Sequence, residues 1–239
     1  MEPVIELSGV GFSARDRVLV SALSCRFAES RATALAGPPG CGKSTVLKLA
    51  AGLLIPDRGE VRFRGMPLAR MGRQQNLDFR RETAFVFQDA ALWANQTLFE
   101  TLELPLRVHF PAMPEAARRR RVEEVAARVG YRRELGVRPS ELSRGEQKLV
   151  AFARALVCRP PVLFLDEWTE SLDENSARRL TDIVLEMKAA GATVILVTHD
   201  VRIMRRVADT VLLVKDGGIE RELACGEACG ELERIAETG

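Results

Sequence analysis

Gly37-Pro38-Pro39-Gly40-Cys41-Gly42-Lys43-Ser44 decides how the rest of the chain is read. The stretch fits G-x-x-x-x-G-K-[ST] in full, and its surroundings are those the pattern needs. Thr33-Ala34-Leu35-Ala36 before it reads as a short buried strand. After it, Val46, Leu47, Leu49 and Ala50 keep helical spacing until Gly52 and Pro56 stop the helix. Glycines let backbone N–H groups turn inward around phosphate oxygens, and the new helix aims the positive end of its dipole at them. Lys43 supplies a mobile cation for β- and γ-phosphates, and the Ser44 hydroxyl suits Mg²⁺. The pattern points to a nucleoside triphosphate and leaves open what its hydrolysis drives.

A second stretch strengthens the first. Val162-Leu163-Phe164-Leu165-Asp166-Glu167 is an apolar strand ending in two adjacent carboxylates. Ligands of open parallel sheets bind beyond the C-terminal strand ends. Asp166 would then face the Mg²⁺, and Glu167 would polarise the attacking water as general base. Read alone, the pair could equally cap the strand and meet arginines. Downstream of a phosphate loop it gains weight.

Between and around these stretches the pattern alternates. Val4 to Leu7, Gly9 to Gly11 and Val18 to Phe27 suggest antiparallel strands, and Glu60–Phe63 and Thr83–Phe87 read as further strands. From Asp89 to Cys158 the pattern turns helical. Leu98, Leu102, Leu104 and Leu106 give way at Pro105 and Pro111, and Pro114 to Gly130 carries Val122, Val125, Ala126 and Val129 on one side. Strand and helix then alternate through Val162–Leu165, Asp173–Ala190, Thr193–Thr198, Asp200–Val207 and Val211–Val214. A last strand follows Gly217-Gly218, and a short acidic helix ends the chain. The expected fold is α/β: a mostly parallel P-loop NTPase sheet, an N-terminal antiparallel β subdomain and an inserted helical subdomain. One domain over 1–239 is expected, with 1–88 and 159–239 as catalytic core and β subdomain and 89–158 as the helical insertion.

Leu142-Ser143-Arg144-Gly145-Glu146-Gln147-Lys148-Leu149-Val150-Ala151-Phe152-Ala153-Arg154-Ala155-Leu156 makes the whole recognisable. With the two stretches above, it resembles the nucleotide-binding subunit of an ATP-binding-cassette (ABC) transporter over nearly the full chain. Ser143 and Glu146 form S-x-x-E before an apolar run, a capping box, and a capped helix start beside Gly145 is also an anion site. The resemblance implies that this signature meets the γ-phosphate held by the loop of a second subunit. It also implies that Phe12, 25 residues before Gly37, stacks on adenine. Gln88 matches the glutamine that senses Mg²⁺ and the attacking water. Asp173, in Ser171-Leu172-Asp173, matches the D-loop, and His199 the switch histidine on the γ-phosphate. The implied nucleotide contacts further include Gly37, Pro38, Gly40, Cys41, Gly42 and Thr45. The implied metal set is Ser44, Gln88 and Asp166, with ATP and Mg²⁺ as cofactors.

Three positions depart from the family. Arg144 stands where glycine is usual and could add charge near the phosphates or point to solvent. Glu146 stands where glutamine is usual and still suits a helix start. Trp168 replaces the proline after the catalytic glutamate, and either the dimer seam or the core would accommodate it. Arg118 to Arg121, followed by Glu123 and Glu124, reads as a solvated helix face rather than a nucleic-acid site.

Composition sets the remaining bounds. The 239 residues hold 35 Lys+Arg against 33 Asp+Glu, a formal net charge of +2, so no basic excess argues for nucleic acid. Apolar residues make up 46%, too many for a disordered chain. Five scattered cysteines read as reduced thiols of a cytoplasmic protein. No apolar run approaches the roughly 18–20 residues that cross a bilayer. The resemblance therefore implies an ATPase subunit at the inner face of the cell membrane, without direct membrane insertion. Its partners would be a second copy or a paralogous cassette, and a separate permease docking near Gln88 to Leu98. Phe87 to Leu92, Thr97 to Glu100 and Leu104 to Leu106 are most similar to Mce/Mla-type lipid-transport cassettes, though metabolite importers and lipoprotein-release cassettes share much of them. The alternative is a soluble ABC ATPase acting on ribosomes or DNA.

Overall fold

Apolar residues alternate between two cores, and that alternation organises the molecule. The computed structural model describes residues 3–15, 17–228 and 230. Among the described residues the strands are β1 (Pro3–Ala14), β2 (Arg17–Ala28), β3 (Ala32–Ala36), β4 (Arg58–Phe63), β5 (Met66–Pro67), β6 (Thr83–Val86), β7 (Val162–Asp166), β8 (Thr193–Val197), β9 (Thr210–Lys215) and β10 (Gly218–Ala224). The helices that connect them are α1 (Lys43–Ala50), α2 (Arg73–Glu82), α3 (Leu98–His109), α4 (Glu115–Val129), α5 (Arg144–Leu156), α6 (Glu174–Ala189) and α7 (Val201–Val207).

A four-stranded antiparallel sheet runs in the order β2-β1-β4-β5, and a six-stranded sheet in the order β10-β9-β3-β8-β7-β6. The second sheet is parallel from β9 to β6, with β10 antiparallel at its edge. Strands β3, β7 and β8 are buried along their whole length, as strands covered on both faces must be. On one face Val162, Phe164, Ile195 and Val197 pack with Val46, Leu47 and Leu49 of α1 and with Ile5, Leu7 and Phe27 of the antiparallel sheet. On the other, Leu163, Leu165, Val194 and Leu196 pack against α3 to α7. Side chains at successive strand positions thus serve opposite cores.

Several sequence expectations change. The α3 helix does not stop at Pro105 but runs through it to His109. Proline removes one helix bond there, yet Leu98, Leu102 and Leu106 are fully buried on the same face and hold the turn in place. The α2 helix was not expected, because Phe79 is its one buried residue and no apolar stripe announces it. Arg118 to Arg121 is a solvated face only in part, with Arg119 and Arg120 exposed and Arg118 and Arg121 half-buried. Arg118 pairs at 2.8 Å with the buried Glu103, Arg119 lies 4.7 Å from the Phe99 ring centroid, and Arg121 donates to the carbonyls of Leu156 and Val157. These arginines tie α4 to α3 and to the end of α5. Trp168 is fully buried in the helical core, away from any surface seam. Cys25, Cys41 and Cys158 are free thiols. Cys229 and most of the expected terminal acidic helix lie outside the described residues. No helix among the described residues is long and apolar enough to cross a membrane.

Candidate active site

Register brings the sequence candidates to one edge. Leu35 of β3 and Asp166 of β7 both pair with Val197 of β8, while Val86 of β6 pairs with Leu165. The loop at Gly37, the carboxylates Asp166 and Glu167, His199 and Gln88 therefore all leave the sheet at the same end. Strand-end placement of this kind is where open α/β sheets carry their sites.

The loop's shape depends on glycine at two places. Gly37 has φ +147°, and a Cβ there would sit 2.1 Å from the carbonyl oxygen of Val214. Gly42, the N-cap of α1, has φ +101° and approaches the Leu19 carbonyl so closely that a Cβ would stand 2.6 Å away. No other residue fits either position without moving backbone. Lys43 is buried at the start of α1, and its Nζ donates to the carbonyls of Gly37 and Pro38, both at 2.8 Å. Its ammonium therefore sits inside the curl of the loop. Thr45 follows it in the first turn of α1.

Ser44 Oγ donates to Asp166 Oδ1 at 2.8 Å. Asp166 is 1% exposed, and burial pushes its carboxyl above the ordinary range, against the pull of the Ser44 bond and of Lys48 and Lys148. A hydroxyl and a carboxylate in contact are hard oxygen ligands and fit a magnesium ion. Among the described residues no group of three or more His, Cys, Asp or Glu could hold a metal alone.

Glu167 follows with φ +46°, a left-handed conformation uncommon for a residue with a side chain. Its N–H donates to the Val197 carbonyl at 3.0 Å. Its own carbonyl accepts from Lys148 Nζ at 2.7 Å and from the Glu170 N–H at 3.2 Å. Burial raises the Glu167 carboxyl, with His199 opposing. Oε2 accepts from the His199 N–H at 3.3 Å. Oε1 lies 3.2 Å from His199 Nε2 without hydrogen-bond geometry and has no donor. The His199 side chain is 65% exposed, so it reaches from the strand end toward solvent.

Other candidates are placed less centrally. Gln88 is exposed, and its Nε2 donates to Glu170 Oε2 at 3.0 Å rather than reaching Ser44 or Asp166. Phe12 is half-buried and lines a cavity of about 260 Å³ with Gly11, Val18, Val20 and Arg58. Leu19 and Val20 of that strand also touch the space around Gly42, so this cavity adjoins the phosphate loop. The capping box at the start of α5 forms: Ser143 Oγ accepts from the Glu146 N–H, and Glu146 Oε2 accepts from the Ser143 N–H. Arg144 is exposed, and Glu146 also pairs with Arg133 at 3.1 Å. A Cβ on Gly145 would meet the Ser171 carbonyl at 3.4 Å, so the signature touches the loop ahead of Asp173. Asp173 itself caps α6 by accepting from the Ser176 N–H.

Sequence reasoning missed Lys148, Glu170 and Arg154 as site residues. Arg154 donates to the carbonyls of Ala90 and Ala91, both in left-handed conformations, just after Gln88. The available signal was a charge at Lys148 and Arg154 within the apolar run of α5.

The family described as ABC transporter matches residues 20–170. The nickel import ATP-binding protein NikE of Brucella suis biovar 1 (strain 1330) is 35% identical over 218 residues, covering 90% of this chain and 81% of that one. The methionine import ATP-binding protein MetN of Brucella abortus (strain 2308) is 30% identical over 221 residues, covering 92% of this chain and 59% of that one. A solved dimeric ATP-binding cassette in a post-hydrolysis state, bound to ADP and Pi, superposes with a TM-score of 0.84 at 29% identity, covering 92% of this chain and 98% of that one. The structure of cbiO1 from Clostridium perfringens, part of the ABC transporter complex cbiONQ, gives 0.78 at 26% identity, covering 100% and 95%.

Proposed function

The chain belongs to the ABC transporter family of ATP-binding, ATP-hydrolysing subunits, and from that membership we propose that it works as one half of a cassette dimer driving a separate membrane permease. The observation that carries the reading is the meeting of Lys43, Ser44, Asp166, Glu167 and His199 at one sheet edge. In this reading the loop from Gly37 to Thr45, with Pro38, Gly40, Cys41 and Gly42, wraps the phosphates, and Lys43 turns from its own loop carbonyls to the β- and γ-oxygens. Ser44 and Asp166 would hold a magnesium ion, which would supply positive charge against the phosphates. Glu167 takes the proton of the attacking water through Oε1, a buried oxygen that has no donor of its own. His199 steadies the γ-phosphate from the neighbouring strand end. Gln88 would leave Glu170 to join the metal and the attacking water, and Phe12 would stack on adenine.

Ser143, Gly145 and Glu146 act across the dimer, where the capped start of α5 receives the partner subunit's γ-phosphate, with Asp173 alongside. Residues 1–88 and 159–239 then form the catalytic core and β subdomain, and 89–158 the helical subdomain. Beside Gln88 lies a cavity of about 480 Å³ lined by Phe85, Phe87, Trp93, Pro105 and Arg154. Trp93 is 45% exposed there, and the groove suits a short apolar helix of a permease. Docked in this way, the subunit lies peripherally on the inner face of the cell membrane. The cargo follows the permease. The named relatives serve nickel and methionine import, which favours import of a small solute, and none of them supports the lipid suggested by the stretch from Phe87 to Leu106.

Purified protein should hydrolyse ATP only when dimeric, and Glu167→Gln should lower kcat about 10²–10⁴-fold while ATP-bound dimer accumulates. Activity unaffected by Glu167→Gln, or equal in monomer and dimer, refutes the mechanism. Co-purification with ribosomes or DNA rather than with a permease refutes the transport role.

A further inference from the structure

The hydrolytic carboxylate is held from beneath by the helix that carries the signature. Lys148 lies one turn into α5, 5% exposed, and is followed by the apolar residues Leu149 to Phe152. Its four-carbon side chain crosses to β7 and ends at the Glu167 carbonyl, 2.7 Å away. Glu167 is thereby fixed at both ends of its own backbone, with its N–H on β8 and its carbonyl on α5. A residue with a side chain at φ +46° persists only where its surroundings over-determine it. An extended conformation at this position would turn the carboxylate away from His199.

We propose that Lys148 is a positioning residue for ATP hydrolysis, holding the Glu167 backbone in the left-handed conformation that aims its carboxylate at the attacking water. The proposal rests on Glu167 being the base. It also gives α5 a second task, because the helix that presents Ser143 to the partner's nucleotide then reaches its own subunit's base through one side chain. A shift of α5 relative to β7 moves the carbonyl that Lys148 grips. Hydrolysis in one site thereby depends on the placement of the signature belonging to the same subunit.

Lys148→Met, Lys148→Gln and Glu167→Gln in the full chain test this by steady-state ATPase assay, with thermal melting as a check on folding. Methionine keeps the volume and loses the donor, and glutamine keeps a donor without the charge. Lys148→Met should lower kcat about 10- to 100-fold, as misplacing a reacting group by about 1 Å does. The KM for ATP should stay within about twofold, since the loop and its contacts are untouched. Lys148→Gln should recover most of the loss. In a Glu167→Gln background Lys148→Met should change the residual rate little, because Lys148 acts through Glu167. A wild-type kcat in Lys148→Met, a rise in KM at constant kcat, or equal losses in the methionine and glutamine variants overturns the proposal. If Glu167→Gln kills hydrolysis while Lys148→Met does not, the positioning role alone fails. If Glu167→Gln keeps full activity, the base assignment fails and the positioning role with it.

Discussion

Two substitutions at one contact should move stability in opposite directions. Ser44 Oγ donates to Asp166 Oδ1, and Asp166 is almost wholly buried. A hydrogen bond to a charged group contributes about 1.5–3 kcal/mol. Ser44 is half-buried, so water can partly replace it and the lower end applies. Ser44→Ala should then cost about 1.5 kcal/mol, which lowers Tm by about 3–6 °C for a chain of this size. Asp166→Asn keeps an oxygen for the Ser44 hydroxyl and removes a charge that burial disfavours. The Asp166 carboxyl is raised in the folded state, so between the ordinary carboxyl pKa and that raised value the folded protein holds more protons than the unfolded one. Stability therefore falls as pH rises through this window, and the full penalty stands at pH 8. Asp166→Asn should raise Tm at pH 8, and its advantage should shrink in acid. The Ser44 bond favours the ionised form, so the Ser44→Ala deficit should likewise be full at pH 8 and narrow in acid. Calorimetry without nucleotide or metal checks both signs. An Asp166→Asn variant that melts below wild type at pH 8, or an unchanged Ser44→Ala, refutes the reasoning.

The α3 helix carries a capping box in which Thr97 Oγ1 accepts from the Glu100 N–H and Glu100 accepts from the Thr97 N–H, so Thr97→Ala should cost about 1 kcal/mol, read as a lower Tm. The Thr97 amide bond holds Glu100 below the usual carboxylate range, and this support is present above the unfolded carboxyl pKa and lost as pH falls through the folded one. Burial pushes the Cys25 thiol up to about 12 and Cys158 up to about 11, so at pH 8 their thiolate fractions are about 10⁻⁴ and 10⁻³. Both should label slowly with a thiol reagent in folded protein and fast in denaturant, and fast labelling of Cys25 in the native state would contradict its burial. Arg121→Ala removes the guanidinium that donates to the Leu156 and Val157 carbonyls and should lower Tm by several degrees, while Arg120→Ala, at an exposed position, should not.

The motifs were legible because each combines a residue type with a local geometry that the type requires. Gly37 and Gly42 announce a loop that tolerates no Cβ, and Ser143 with Glu146 announces a helix start; both features form as read. The alternating apolar runs likewise disclosed the parallel sheet, since strands covered on both faces need unbroken apolar sequence. What escaped were contacts between distant elements. Nothing near Arg121 says that it will meet the end of α5, 35 residues on, and nothing near Trp168 says which core receives it. The α2 helix was hidden for a related reason: it buries one side chain, so its sequence lacks the stripe that periodicity detects.

The departures from the family sort themselves by where they fall. Glu146 keeps the capping geometry of glutamine and adds an ion pair to Arg133, so it preserves the helix start on which the signature depends. Arg144 is exposed at the first position of α5, where a cation opposes the helix dipole, so it adds charge at this surface without serving the helix start. Trp168 differs in kind. Its ring is fully buried in the helical core, and its Nε1 is buried without an acceptor. An unpaired indole N–H is an expense that core packing must offset. The chain thus anchors Trp168 by volume and Glu167 by the Lys148 bond. A smaller residue at 168 would leave a cavity in the helical core, and the aim of Glu167 would then rest on Lys148 and the β8 bond alone.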